Sequence, residues 1–162
     1  MPIAIFENRQ TKTITFTVDP SGKTCEVPHL ARVGVRHSYE LPCHASVGEN
    51  AIDFWCDDDS CELDVQYPSK FDKLSWEICV VGGWCGGLID GQPTTVDDLL
   101  PTVGQITAER FAELAIRADG WPEGEPFDEK HVTWLNSKFV EHFGAETVDV
   151  SDLRRNLTNP FE

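Results

Sequence analysis

The spacing of apolar residues changes once along this chain, near residue 82, and that change limits the fold more than any other feature. Before it, apolar side chains recur at every second position; after it, they recur at every third and fourth. A period of two belongs to a strand with one packed and one wetted face. A period of 3.6 belongs to an amphipathic helix. Strands first and helices afterwards predict an α+β fold.

The first part divides at its turn residues. Ile14, Phe16 and Val18 alternate with Thr13, Thr15 and Thr17, and Asp19-Pro20-Ser21-Gly22 follows as a hairpin tip. Proline presets φ there and glycine supplies a positive φ. The return strand covers 23–27. A third strand runs over 32–41, with Val33, Val35, His37, Tyr39 and Leu41 on its apolar phase. Residues 52–56 and 61–67 read as the arms of another hairpin around Asp57-Asp58-Asp59-Ser60. Leu74, Trp76, Ile78 and Val80 read as a last strand. Short links between successive strands favour antiparallel neighbours, so the expectation is a meander-like sheet of five or six strands.

The glycines at 82, 83, 86 and 87 interrupt regular structure. Thr95 caps a single turn, and two longer helices follow. In the first, Thr107 is the cap, Ile106 and Phe111 form a hydrophobic staple, and Phe111, Leu114, Ala115 and Ala118 form the buried stripe. In the second, Asp128 is the cap, Val132, Leu135, Phe139 and Phe143 form the stripe, and Gly144 ends it. These two helices are expected to cover one face of the sheet. At 162 residues the chain reads as a single domain, mainly β over 1–81 and mainly α over 82–162.

Charge decides which partners are admissible. The chain holds 28 Asp and Glu against 13 Lys and Arg, a formal charge of −15 spread over both parts. Nucleic-acid binding needs a basic footprint, so direct contact with DNA or RNA is not expected, nor is attachment to an anionic membrane. The N-terminus lacks a basic, apolar leader, which gives a cytoplasmic expectation. In a reducing compartment the six cysteines read as thiols, metal ligands or a nucleophile before they read as disulfides.

Three arrangements bear on chemistry. Cys56 and Cys61 flank the 57–60 loop and suit a buried thiol pair, a reversible disulfide, or half of a zinc site completed by Cys79 and Cys85. The five residues between Cys79 and Cys85 are more than the two to four that structural zinc prefers between paired ligands. Cys25, His29, His37, Cys43 and His44 put five potential ligands into twenty residues, although a histidine on an apolar strand phase is more often a core residue. Cys85, among glycines, is a candidate nucleophile with His131 or His142 as base. No phosphate loop, Gly-x-Ser-x-Gly or His-Glu-x-x-His occurs. Neither a metal nor a cofactor is expected.

The reading that remains is an acidic binding module for a basic, nucleic-acid-binding protein, acting as an immunity or anti-defence inhibitor would. Its carboxylates would occupy a surface meant for phosphates. The expected contact residues are Asp57, Asp58, Asp59, Glu62 and Asp64, with Glu123 and Glu125 as a second patch. A cysteine hydrolase centred on Cys85 and a zinc-stabilised adaptor are the alternatives.

Overall fold

The computed structural model describes residues 1–38, 42–57, 59–158 and 161. It has the expected α+β arrangement of N-terminal strands and C-terminal helices. The chain forms two compact units. The first comprises Met1–Pro68 with Asn156–Glu162, and the second Ser69–Arg155.

Among the described residues the first unit contains seven strands in two sheets. β2 (Ile14–Asp19) and β3 (Lys23–Val27) form the expected hairpin, closed by the Gly22 N–H on the Val18 carbonyl at 2.8 Å. They belong to a four-stranded sheet ordered β3-β2-β6-β5, with β5 at Cys43–Val47 and β6 at Ala51–Cys56. The β2–β6 pair is parallel and the others are antiparallel. The second sheet, β1-β4-β7, is wholly antiparallel and joins Ile3–Glu7, Arg32–Arg36 and Glu62–Gln66. Phe16, Val18 and Phe54 from one sheet and Val33 and Val35 from the other share a core. Phe6 bridges them, 5.0 Å from Phe16 and 5.6 Å from Phe54 between ring centres.

Two strand expectations are corrected. β6 and β7 are not arms of one hairpin. β6 pairs with β2 and β5, whereas β7 pairs with β4 in the other sheet. Alternation shows which side of a strand is apolar but not which sheet supplies the neighbour. Facing sheets lie about 10 Å apart, and a five-residue link spans that distance easily. The second correction concerns Leu74 to Val80, which are helical. α1 (Lys70–Val80) buries Phe71, Leu74 and Ile78, a three-and-four spacing that coexists with the two-residue alternation. Ser69 and Asp72 settle the choice with a reciprocal capping box, Oγ accepting from the Asp72 N–H and the carboxylate from the Ser69 N–H.

The rest of the second unit follows its caps. β8 (Gly87–Ile89) and β9 (Gln92–Thr94) form a small hairpin across Asp90-Gly91, both at positive φ, as a two-residue turn of this type requires. α2 (Val96–Leu99) starts at Thr95, whose backbone N–H is held by Asp98. β10 (Gln105–Thr107) leads into α3 (Ala108–Ala118), capped by the Thr107 hydroxyl on the Arg110 N–H at 3.1 Å. Asp128 caps α4 (Glu129–Phe143), and Gly144 ends it at φ 71°. β11 (Thr147–Asp149) pairs with β10, and a 3-10 turn at Val150–Asp152 follows. Phe71, Phe111 and Phe139 form the centre of this unit, with ring centres 6.2 and 5.1 Å apart in succession. Among the described residues no helix is long and apolar enough to cross a membrane.

Candidate functional site

The acidic residues separate into those that hold the fold and those that do not. At the 57–61 link, Asp57 and Asp59 are exposed, and neither forms an ion pair among the described residues; Asp58 lies outside them. Glu62 is exposed but pairs with Arg36 at 3.3 Å. Asp64 is half-buried and accepts the Phe161 N–H at 3.0 Å, while Arg36 stacks 4.3 Å from the Phe161 ring centre. Of the expected contact residues, Asp64 thus holds Phe161 directly, and Glu62 holds the arginine that stacks on it. Glu123 and Glu125 stand exposed in the loop between α3 and α4, in the second unit.

A better-formed acidic feature lies between α3 and α4. A groove of about 640 Å³ has Phe127 and Val132 among its apolar lining and Glu109, Glu113 and Glu129 as its carboxylates. Glu109 and Glu113 are four residues apart, so one helix face presents both. The Thr107 and Asp128 caps fix where α3 and α4 begin, which sets the rotation of each helix toward the groove. Arg110 pairs with Glu113 at 2.9 Å, and Arg117 lies 5.4 Å over the Phe127 ring. The chain therefore already seats one guanidinium against this lining. Sequence reasoning did not single out Glu109, Glu113 or Glu129, although their spacing on well-capped helices was the signal that could have done so.

The cysteines fall into two groups. Cys79 and Cys85 are joined as a disulfide with Cα atoms 4.4 Å apart. This corrects both sequence readings of Cys85, since a bonded sulfur is neither a nucleophile nor a zinc ligand. Of the two proposed bases, His142 is engaged by a carboxylate, whereas the His131 ring is held, among the described residues, by packing alone. His142 Nε2 lies 2.6 Å from Glu77, whose carboxyl is held below its usual range, chiefly by the Lys138 hydrogen bond. The His131 ring packs 5.0 Å from Trp84, and its buried Nδ1 meets no hydrogen-bond partner among the described residues.

Cys25, Cys43, Cys56 and Cys61 are thiols. Burial pushes the Cys25 thiol up, with Glu26 adding to the effect. Cys56 and Cys61 both reach the first unit's core, but the near neighbour of Cys56 is Cys43, its register partner on β5, with sulfurs 3.1 Å apart. His37, just past β4, completes a cluster with these two. Of the five residues in the second sequence-derived metal set, His37 and Cys43 are brought together. His44 instead stacks on Trp55 at 6.3 Å, and His29 Nδ1 lies 2.9 Å from the Gln10 carbonyl.

No protein-family model matches this sequence, and comparison with curated proteins and with solved structures returns no match.

Proposed function

We propose that this chain is a binding module for a basic protein, and that the α3–α4 groove receives a Lys/Arg-rich segment of that partner. The observation that carries this reading is a groove in which exposed Glu109 and Glu129, with half-buried Glu113 beside Arg110, surround an apolar lining. Guanidinium groups suit such a site by forking onto its carboxylates and by stacking on its apolar lining, as the chain's own Arg117 does on Phe127. The surplus charge of −15 would speed the encounter with a cationic surface. Bound to a nucleic-acid-binding protein, the module would cover the groups that otherwise hold phosphates, and so inhibit it. Exposed Asp57, Asp59, Glu123 and Glu125 would extend the field without forming the pocket.

The cytoplasmic setting expected from the sequence belongs to the same proposal. Four thiols fit a reducing compartment, whereas the Cys79–Cys85 bridge fits an oxidising one.

A fluorescent twelve-residue peptide of alternating Arg and Leu serves as probe, with fluorescence anisotropy as the readout. The chain should bind it and displace it from a DNA duplex, with affinity falling steeply between low and moderate salt. E109K/E129K should weaken binding about tenfold or more, since each exposed charge contributes up to about 1 kcal/mol and reversal adds repulsion. D57K/D59K should change it little. Equal binding by the wild type and E109K/E129K, or a salt-insensitive complex, would overturn the reading.

A further inference from the structure

We propose that His37, Cys43 and Cys56 form a binding site for a single thiophilic divalent ion of the zinc class. The site lies within the first unit and is independent of the α3–α4 groove.

Strand pairing brings the two sulfurs together. β5 and β6 run antiparallel with Cys43 directly opposite Cys56. Directly opposed residues place their Cβ atoms about 4.5–5.5 Å apart, close enough for both thiols to reach one ion. The third ligand comes from the other sheet. His37 follows β4, its backbone N–H is fixed on the Pro2 carbonyl at 3.1 Å, and its ring packs 6.0 Å from Phe54. Its Nδ1 lies 3.5 Å from the Cys43 sulfur, and one ligand atom from each of the three residues falls within 4.8 Å of the others. Two adjacent thiols occur readily in paired strands. A histidine delivered to the same sulfur from a different sheet is what makes the group a ligand set.

The distances suit a tetrahedral ion. Zinc–sulfur bonds of about 2.3 Å and zinc–nitrogen bonds of about 2.0–2.1 Å put S and N ligands roughly 3.5 Å apart and two S ligands roughly 3.8 Å apart. The His37–Cys43 separation already has that value. The sulfurs, at 3.1 Å, must part by about 0.7 Å, a small side-chain rotation at half-buried Cys43. Two thiolates and an imidazole select zinc or cuprous copper over magnesium or calcium. Cys56 is buried, while Cys43 and His37 are half-buried, so the site sits at the margin of the core with access from outside. Three protein ligands leave a fourth position to water or a small ligand. His37 Nδ1 now lies 2.9 Å from the Ser38 carbonyl and donates to it; an ion bound at that nitrogen replaces its proton. The neutral ring keeps its proton by moving it to Nε2, so uptake releases protons from the thiols. A bound ion would also tie β4 of one sheet to β5 and β6 of the other.

The test uses the full chain, reduced and stripped of metal, titrated anaerobically with cobalt(II) and then zinc(II). The expected result is one cobalt per chain, with thiolate charge-transfer and tetrahedral d–d absorption that zinc abolishes. Zinc should also raise the melting temperature of the wild type. H37Q and C43S, at the half-buried positions, should each weaken binding at least tenfold and lose the zinc-dependent melting shift. C25S should bind as the wild type does. Far-UV circular dichroism of H37Q and C43S matching the wild type separates ligand loss from misfolding. Unchanged binding in H37Q and C43S, cobalt spectra without thiolate absorption, or a Cys43–Cys56 disulfide that resists reduction and blocks metal uptake would each overturn the site.

Discussion

Replacing Arg155 with methionine should destabilise the second unit by roughly 2–3 kcal/mol, a figure assembled from its contacts. Its guanidinium forks onto Asp97 at 2.7 and 2.6 Å, donates to Ser75 Oγ at 3.2 Å, lies 4.7 Å over Phe71, and stands 3.7 Å from Asp72. One side chain thereby ties the chain after the 3-10 turn to both α1 and α2. Charge-assisted forks contribute about 1.5–3 kcal/mol when buried. Arg155 and Asp97 are 38 % and 36 % exposed, so the pair lies nearer the exposed limit, about 1 kcal/mol. The stack on Phe71 adds about 0.5–1 kcal/mol. Asp72 is buried, and loss of the cation beside its Oδ1 costs about another 1 kcal/mol, well below a fully buried broken pair because Ser69 still donates twice to its Oδ2. Four of the five tryptophans lie in this unit, so urea unfolding followed by tryptophan fluorescence reports on it directly. R155K should recover less than half the loss, because an ammonium neither forks nor stacks as a guanidinium does. The effect should also depend on acid. Burial pushes the Asp97 carboxyl up, but the Arg155 hydrogen bonds and charge outweigh it and hold it below its usual range. A depressed carboxylate contributes fully above its unfolded pKa of about 3.9, and that contribution fades as pH falls through the lower folded value. The gap between wild type and R155M should therefore narrow below about pH 4. A loss under 0.5 kcal/mol at pH 7, or a gap constant into acid, would refute the reasoning.

Two further outcomes follow from local geometry. Gly82→Ala should cost about 1–3 kcal/mol, since a Cβ there would lie 2.5 Å from the Trp134 ring and 2.8 Å from the Ile78 carbonyl; an unchanged urea midpoint would refute it. Thiol titration of the unreduced, denatured chain should count four of the six cysteines, and reduction should lower stability by about 2 kcal/mol for so short a loop; six thiols before reduction would exclude the bridge.

Local chemistry made much of the fold legible. Thr107, Asp128 and Gly144 mark helix ends at the positions the structure gives them, because capping depends on a few adjacent residues. The β2–β3 hairpin was legible for the same reason, its turn lying between its own strands. α1 was missed because Leu74, Trp76, Ile78 and Val80 fit a strand as well as Phe71, Leu74 and Ile78 fit a helix. The deciding signal was Ser69-x-x-Asp72, one turn upstream. β5 gave no signal: four of its five residues are exposed, so it shows no apolar alternation. The thiol cluster inherits that difficulty. Cys43 and Cys56 meet because β5 lies beside β6, and His37 meets them because a second sheet faces the first; neither relation is encoded in spacing along the chain.

Net charge located no site, because carboxylates in this chain perform different work at different places. Asp72, Asp98, Asp128 and Asp149 accept backbone N–H groups at helix or turn starts, where the helix dipole also favours them. Hydrogen bonds to Ser151, by side chain and then backbone, hold the Asp149 carboxyl low. Glu7, Glu77 and Asp97 hold cations of their own unit. Those groups are bound to the fold, and reversing their charge should appear as lost stability. Glu109 and Glu129 border the α3–α4 groove and are exposed, and reversing them should cost stability only what a first-turn charge contributes, about 0.3–1 kcal/mol each, while altering association. The distinction between a structural and an interacting carboxylate is therefore set by what already occupies its oxygens, and a count of acidic residues contains no information about that.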